Sequence, residues 1–309
     1  MQRLLAFLFA LALSVSLATL QSAAQQSDAP QFGAQQSAIS ADPLTDHAHP
    51  ATMESVQIPS HGALLNSLVY IAAGAGPHPV ALLLHGFPGN ERNLDLAQTL
   101  RRAGWDVVYF NYRGAWGTPG EFSFSHCIED AQAAIAWLHD PAVAAKLRAN
   151  PSQLVLLGHS MGGFVANEVA ARTQGIKAVV TMSAADMGME SIKQVPPQAR
   201  NIAVSKVTEH LAKEGMAPLA GCTPEGLAKE LAANLAQWDF PTLAPKLTKI
   251  PYLILTSDDG LAPSNDAFAA ALKGSGNVRV ATKHFVTDHG YSDQRIALQI
   301  TILDWLTKL

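Results

Sequence analysis

The sequence predicts an α/β protein with a mostly parallel central sheet, and three observations carry that expectation. Short apolar runs alternate with helical stretches from about residue 56 onward, which is the rhythm of strand–helix–strand units. One such run, in residues 154–163 "LVLLGHSMGG", passes straight into a serine flanked by glycines and then into a helix. A strandless segment, residues 186–245, interrupts the rhythm before it resumes at "YLILT" in residues 252–256. Parallel sheets have right-handed crossovers and helices on both faces, and they present ligand sites at the carboxyl ends of their strands.

The chain opens "MQRLLAFLFALALSVSLATLQSAAQQS". Arg3 gives a basic start, residues 4–13 are unbroken apolar, and Ser22-Ala23-Ala24 supplies small residues for cleavage. Residues 1–24 read as a secretory signal peptide, because no basic stop-transfer flank follows; the alternative is an uncleaved N-terminal anchor. The mature protein is expected to be exported, periplasmic or extracellular, after cleavage near Ala24 and without a stable membrane span. Residues 25–52 are rich in Gln, Ser, Ala, Asp and Pro without periodicity, and read as a flexible leader. Within them "DHAHP", residues 46–50, reads as solvated polar chain rather than a metal site, since no partner ligands stand at motif spacing.

The remaining elements follow in order. A strand pair spans residues 56–58 and 64–70 around Ser60-His61-Gly62. A strand at 80–85 leads to a helix at 94–103 closed by Gly104, then to a strand at 106–111. A helix at 126–139 ends at Asp140-Pro141. A strand at 154–157, a helix at 161–172 and a strand at 178–182 come next. The strandless segment carries two helical stretches, 198–214 and 224–237, separated by Gly221-Cys222. Inserted between two core strands, they suit a lid over the strand ends; the alternative is enlarged crossover helices. After the strand at 252–256 come a helix at 265–272, a strand at 278–285 and a last helix at 292–306.

Composition bounds the function. With 309 residues, 48% hydrophobic, a net charge of −4 and no basic run longer than Arg101-Arg102, the chain is globular and a poor partner for nucleic acid. Its two cysteines, Cys127 and Cys222, can pair in an oxidising compartment or remain free thiols; their spacing leaves both open. Oligomeric state leaves no trace in the sequence.

The chemistry gathers on the strand ends. Ser160 sits at a strand-to-helix corner in a Gly-x-Ser-x-Gly pattern, where close chain crossing needs glycines and the helix N-terminus faces the hydroxyl. A serine hydroxyl needs a base. In "VTDHGYSD", His289 lies between the last strand and the last helix, on the same rim as Ser160. A carboxylate to orient it is offered by "ILTSDDGLAP", where spacing alone admits Asp258 or Asp259. Two backbone donors for a developing oxyanion are expected from Phe87, in "LLLHGFPGN", and from Met161, the residue after the serine.

These motifs, "HGFPGN", "YFNYRGAWGTPG", "GHSMGG", "TSDDGLAP" and "DHGYSD", arrive in an order and spacing that resemble the α/β-hydrolase family over residues 57–309. The chain is most similar to its serine esterase, monoacylglycerol-lipase-like and serine aminopeptidase-like branches. The resemblance implies the α/β-hydrolase fold for residues 53–309, with residues 186–245 as a helical lid insertion. It favours Asp259 as the acid, because the family's acid usually precedes a proline by four residues, here Pro263. Arg113, in "NYRG", is expected to shape a pocket wall.

The expected reaction is acyl transfer: Ser160 attacks a carbonyl, His289 takes its proton, Asp259 holds His289, and water then clears the acyl-enzyme. No metal or organic cofactor is required. The expected partner is a small-molecule ester, with a short peptide as the alternative. Aminopeptidase action would need a carboxylate cluster near the lid, for which Glu190, Glu209, Glu214, Glu225 and Glu230 are candidates. A non-catalytic binding protein of this fold would typically have lost a member of the serine, histidine and acid set, and all three are present.

Overall fold

The computed structural model describes residues 38–188, 196 and 200–309. The signal segment 1–24, the leader as far as residue 37, Glu190 and the first two residues of the helix expected at 198–214 lie outside the described residues.

Among the described residues eight strands, numbered below in chain order, form one sheet in the order β1-β2-β4-β3-β5-β6-β7-β8. β1 (Thr52–Ser60) and β2 (Ala63–Ile71) make an antiparallel hairpin, in register from Thr52↔Ile71 to Ser60↔Ala63. Its two-residue turn, His61-Gly62, has φ of 45° and 82° at the two positions, the left-handed pair that matches strand twist. β2 also pairs antiparallel with β4 (Asp106–Phe110), and every later pairing is parallel. β3 (His78–Leu84) lies between β4 and β5 (Ala149–His159). The chain therefore leaves β3 on one side and returns on the other, and the loops after β3 and β5 diverge over one crevice.

β6 (Ile176–Met182), β7 (Tyr252–Thr256) and β8 (Val280–His284) complete the sheet. The strands read as continuous apolar runs because both faces are covered. Along β3 the alternation is visible: Val80, Leu82 and Leu84 enter the hydrophobic cluster on one face, Ala81 and Leu83 the cluster on the other. One face packs α1 (Leu94–Arg102) and the C-terminal helix (Arg295–Leu306); the other packs Phe124–Leu138 and Met161–Ala170.

The elements expected from the sequence are present, with shifted ends. The helix expected to end at Asp140-Pro141 does so, but the same dipeptide starts another, Pro141–Leu147. The Asp140 carboxylate accepts from the Ala142 N–H at 2.8 Å, and proline fills the first turn, where no N–H is needed. The insertion between β6 and β7 holds helices Arg200–Lys213, Pro224–Asn234 and the short Phe240–Leu243. Trp238 anchors it, its ring centroid 5.0 Å from Phe164 and 6.3 Å from Phe124.

Before β1, Ala38 is buried and its carbonyl accepts from Arg102 Nε at 2.5 Å. Asp46 Oδ1 accepts from the N–H groups of Ala48 and His49 at 2.9 and 2.8 Å, so its carboxylate closes its own turn. Cys127 and Cys222 are both free, the first buried and the second partly so. Among the described residues no helix is long and apolar enough to cross a membrane.

Asp106, at the start of β4, is almost fully buried, and its Oδ1 accepts from the Ala72 N–H at 2.9 Å. Burial pushes its carboxyl up to about 7, against the opposing pull of that N–H and of Arg148. With a folded value above the unfolded one, its stabilising contribution is complete only below the unfolded value and is lost as pH rises through about 7. Asp106→Asn is accordingly expected to raise the melting temperature relative to the native chain at pH 8, with a smaller gap at pH 5, measured by thermal melts at both.

Candidate active site

The corner between β5 and helix Met161–Ala170 is built by close approach. Ser160 itself has φ 56° and ψ −124°, a sparsely populated conformation for a residue with a side chain. It is held there by its N–H donating to Met182 O at 2.9 Å and by its carbonyl accepting from Gly163 N at 2.9 Å and Ala185 N at 3.0 Å. A methyl group at Gly158 would fall on the Gly162 carbonyl, and one at Gly162 on the Leu84 carbonyl. The two glycines of the motif are thus fixed by crowding rather than by a positive φ.

Across the crevice, a methyl at Gly86 would lie 2.8 Å from Ser160 Cβ and 3.3 Å from its Oγ. The loop after β3 therefore runs its backbone against the serine. Three contacts pin that loop. Tyr112 OH donates to His85 O at 3.3 Å, His85 Nδ1–H donates to Gly86 O at 2.8 Å, and Trp116 Nε1–H donates to Pro88 O at 2.8 Å. The Arg92 guanidinium caps the Trp116 ring, 4.0 Å from its centroid.

His289 and Asp259 meet from separate loops. The carboxylate accepts at Oδ2 from His289 Nδ1–H at 2.7 Å, which leaves Nε2 as the basic nitrogen of the neutral ring. Asp259 Oδ1 also accepts from the Leu261 N–H at 2.9 Å. Burial raises the Asp259 pKa, but the donors around it, His289 first, then Leu261 N–H and the hydroxyls of Ser183 and Ser257, outweigh burial and hold it below the ordinary value. Asp258 points elsewhere, its Oδ1 3.0 Å from His284 Nε2 on an exposed edge. Adjacent side chains diverge, and the aspartate beside His289 is the second of the pair.

His159 packs against His289, ring centroids 4.7 Å apart and planes tilted by 38°, and its Nε2–H donates to the His289 carbonyl at 2.8 Å. Burial, then the neighbouring His289, lowers its pKa to about 4. It is therefore neutral at neutral pH, and its buried Nδ1 has no hydrogen-bond partner among the described residues. His159 stands just before the serine in the Gly-x-Ser-x-Gly pattern, and nothing in the sequence marks its contact with His289.

Ser160, His289, Asp259, Phe87 and Met161 all line one cavity of about 420 Å³. Helix Arg200–Lys213 closes part of it with Val207, His210 and Leu211, and Pro224–Asn234 adds Leu231. Phe124, Met187 and Leu261 extend its apolar surface, while among the described residues Asp186 and Glu214 are its charged residues besides Asp259 and the histidines. Of the other glutamates considered from sequence, Glu225 pairs with Lys229 on the exterior, and Glu230 accepts from the N–H groups of Phe124 and Ser125 at 3.0 and 2.8 Å. Glu209 is exposed outside the cavity lining.

Arg113 is placed differently from the expectation that it shapes this pocket. Its Nε donates to Asp130 Oδ1 at 2.6 Å and its Nη2 pairs with Glu129, while its own N–H donates to Asp130 Oδ2 at 2.8 Å. Asp130 is fully buried and also accepts from Ser60 Oγ at 2.6 Å. The drive to neutralise that buried carboxylate turns the guanidinium into the scaffold.

Residues 79–215 match the sequence profile of the family described as alpha/beta hydrolase fold. The uncharacterized protein Rv2307c of Mycobacterium tuberculosis is 29% identical over 125 residues, 40% of this chain and 43% of that protein. The lysophosphatidylserine lipase ABHD12 of Danio rerio is 34% identical over 98 residues, 31% of this chain and 24% of its own length. The matches thus span less than half the length of these curated relatives. Among solved structures, a thermostable carboxyl esterase from Bacillus coagulans superposes with a TM-score of 0.63 at 15% identity, covering 83% of this chain and 98% of that one. An esterase of Pyrobaculum calidifontis gives 0.63 at 19% identity, covering 95% and 97%. At such identities the likeness is one of fold.

Proposed function

This chain has the α/β-hydrolase fold, and from that premise we propose that it is a serine hydrolase acting on carboxylic esters through an acyl-enzyme. The observation that carries the reading is the 2.7 Å contact of Asp259 with His289 Nδ1, in the cavity that Ser160 enters from its strained corner. With Nδ1 protonated toward the carboxylate, Nε2 is the nitrogen able to take the serine proton. Ser160 Oγ adds to the ester carbonyl, and negative charge develops on its oxygen. Phe87 N–H and Met161 N–H are the proposed donors to that oxygen, the latter at a helix N-terminus whose first N–H groups have no intrahelical acceptors. His289 then protonates the departing alcohol, and water repeats the sequence on the acyl group.

The largely apolar cavity supports an aliphatic or small acyl chain, and the esterases and lipase among its relatives support ester over amide. A second reading, peptidase action, is favoured by one observation: Asp186 and Glu214 share the cavity and offer negative charge to a substrate ammonium. A panel of p-nitrophenyl esters from acetate to palmitate, run beside aminoacyl-anilides on purified protein, separates the two. The expected result is turnover of short and medium esters at least about a hundredfold above any anilide, in line with the discrimination a shaped site achieves. Faster anilide turnover reverses the reading.

Export completes the proposal. The basic start, the apolar run 4–13 and the small residues before Gln25 support cleavage near Ala24. Peptide sequencing of the secreted or periplasmic protein is expected to begin at Gln25.

A further inference from the structure

Beside Asp259, three hydroxyls converge from three separate segments. Ser183 follows β6 directly, Ser257 follows β7 directly, and Tyr291 lies two residues beyond His289. All three are buried, at 0%, 1% and 0% exposure. Ser183 Oγ is 2.9 Å from Ser257 Oγ and 3.0 Å from Tyr291 OH, and both serine hydroxyls lie near enough to the Asp259 carboxylate to help hold its pKa down. Ser183 holds its place at φ 45°, its N–H donating to Leu255 O at 2.8 Å.

Counting protons fixes the direction of this chain. An ionised carboxylate only accepts, and each hydroxyl has one proton to give. Tyr291 donates to Ser183, Ser183 to Ser257 across their 2.9 Å contact, and Ser257 is left to give its proton to Asp259, so three protons serve three bonds. The reverse order would face the carboxylate with lone pairs. Resting on the proposed function, we infer that Ser183, Ser257 and Tyr291 form a one-way hydrogen-bond chain that positions Asp259 against His289 and draws part of its charge away from the imidazole. Tyr291 also ties the loop of His289 to the end of β6, so acid and base are set against each other by the same three hydroxyls. Burial raises the Tyr291 pKa, so the phenol stays a donor through the working pH range.

The test compares the native chain with Tyr291→Phe, Ser257→Ala and the double variant, using p-nitrophenyl butyrate from pH 5 to 9, thermal melts, and fluorophosphonate labelling of Ser160. Each single variant is expected to lower kcat about tenfold with KM within about twofold, the pattern of a lost transition-state geometry. The double variant is expected to be no slower than the slower single, because one chain is cut in both. Among the described residues, the titratable groups around His289 are Asp259, His159 and Asp288, with Asp186, His210 and Glu214 lining the same cavity. With fewer donors on Asp259, more charge faces the imidazole, so the acidic limb of kcat/KM is expected to move to higher pH. Variants that melt lower yet keep the native kcat and pH limb overturn the inference alone. Additive losses in the double variant also overturn it. A native chain that neither hydrolyses the ester nor labels at Ser160 overturns the proposed function and this inference together.

Discussion

Ser160→Ala is expected to reduce ester turnover by at least about a thousandfold, roughly 4 kcal/mol of transition-state stabilisation, while leaving the fold intact. The fold should tolerate the change because the corner is held by main-chain bonds. Its N–H meets Met182 O and its carbonyl meets Gly163 N and Ala185 N, none of which involves the hydroxyl. Loss of the strained serine removes only the nucleophile. Steady-state turnover of p-nitrophenyl butyrate and fluorophosphonate labelling are the measurements. Labelling that persists at another serine in the variant would move the nucleophile elsewhere and dissolve the proposed mechanism.

Asp259→Asn is expected to cost turnover on the order of a thousandfold to ten-thousandfold, against less than about twofold for Asp258→Asn. The two residues are chemically alike and adjacent, so the contrast isolates geometry. Asp259 is 6% exposed and bonded to His289, whereas Asp258 is 56% exposed and faces His284. An amide at 259 presents an N–H or a weaker carbonyl to the imidazole, favours the wrong tautomer and leaves the imidazolium without its counter-charge. KM is expected to change little, since Asp259 acts through His289. If Asp258→Asn proves the more damaging, the pairing seen here is not the working one.

Much of this architecture was legible in the residues, and the parts that were not share a physical cause. Core strands announced themselves because both faces of the sheet are buried and their apolar runs are unbroken, as in residues 80–84. The serine corner was legible because close chain crossing admits only glycine at 158 and 162. Asp140-Pro141 read as a terminator because a proline stops the helix before it, yet the same ring starts the next. Arg113 was misplaced for a different reason. Nothing local says that Asp130, many residues away, is buried at 0% exposure and needs the guanidinium more than the pocket does. The hydroxyls of Ser183, Ser257 and Tyr291 were illegible on the same ground: each is an ordinary loop residue until three strand ends bring them together. His159 stands at an unspecified position of the Gly-x-Ser-x-Gly pattern, and only its packing against His289 distinguishes it.

The helical insertion leaves the sheet at β6 and re-enters it at β7, and these two strands are direct neighbours, paired from Val179↔Tyr252 to Met182↔Leu255. Its point of departure and its point of return are therefore fixed to each other whatever lies between. A family of such proteins could trade this segment for a shorter or longer one, altering which molecules fit above the serine, without disturbing a single strand pairing below. On the proposed function, the reacting groups and the surface that would select a substrate belong to parts of the chain that can change at different rates.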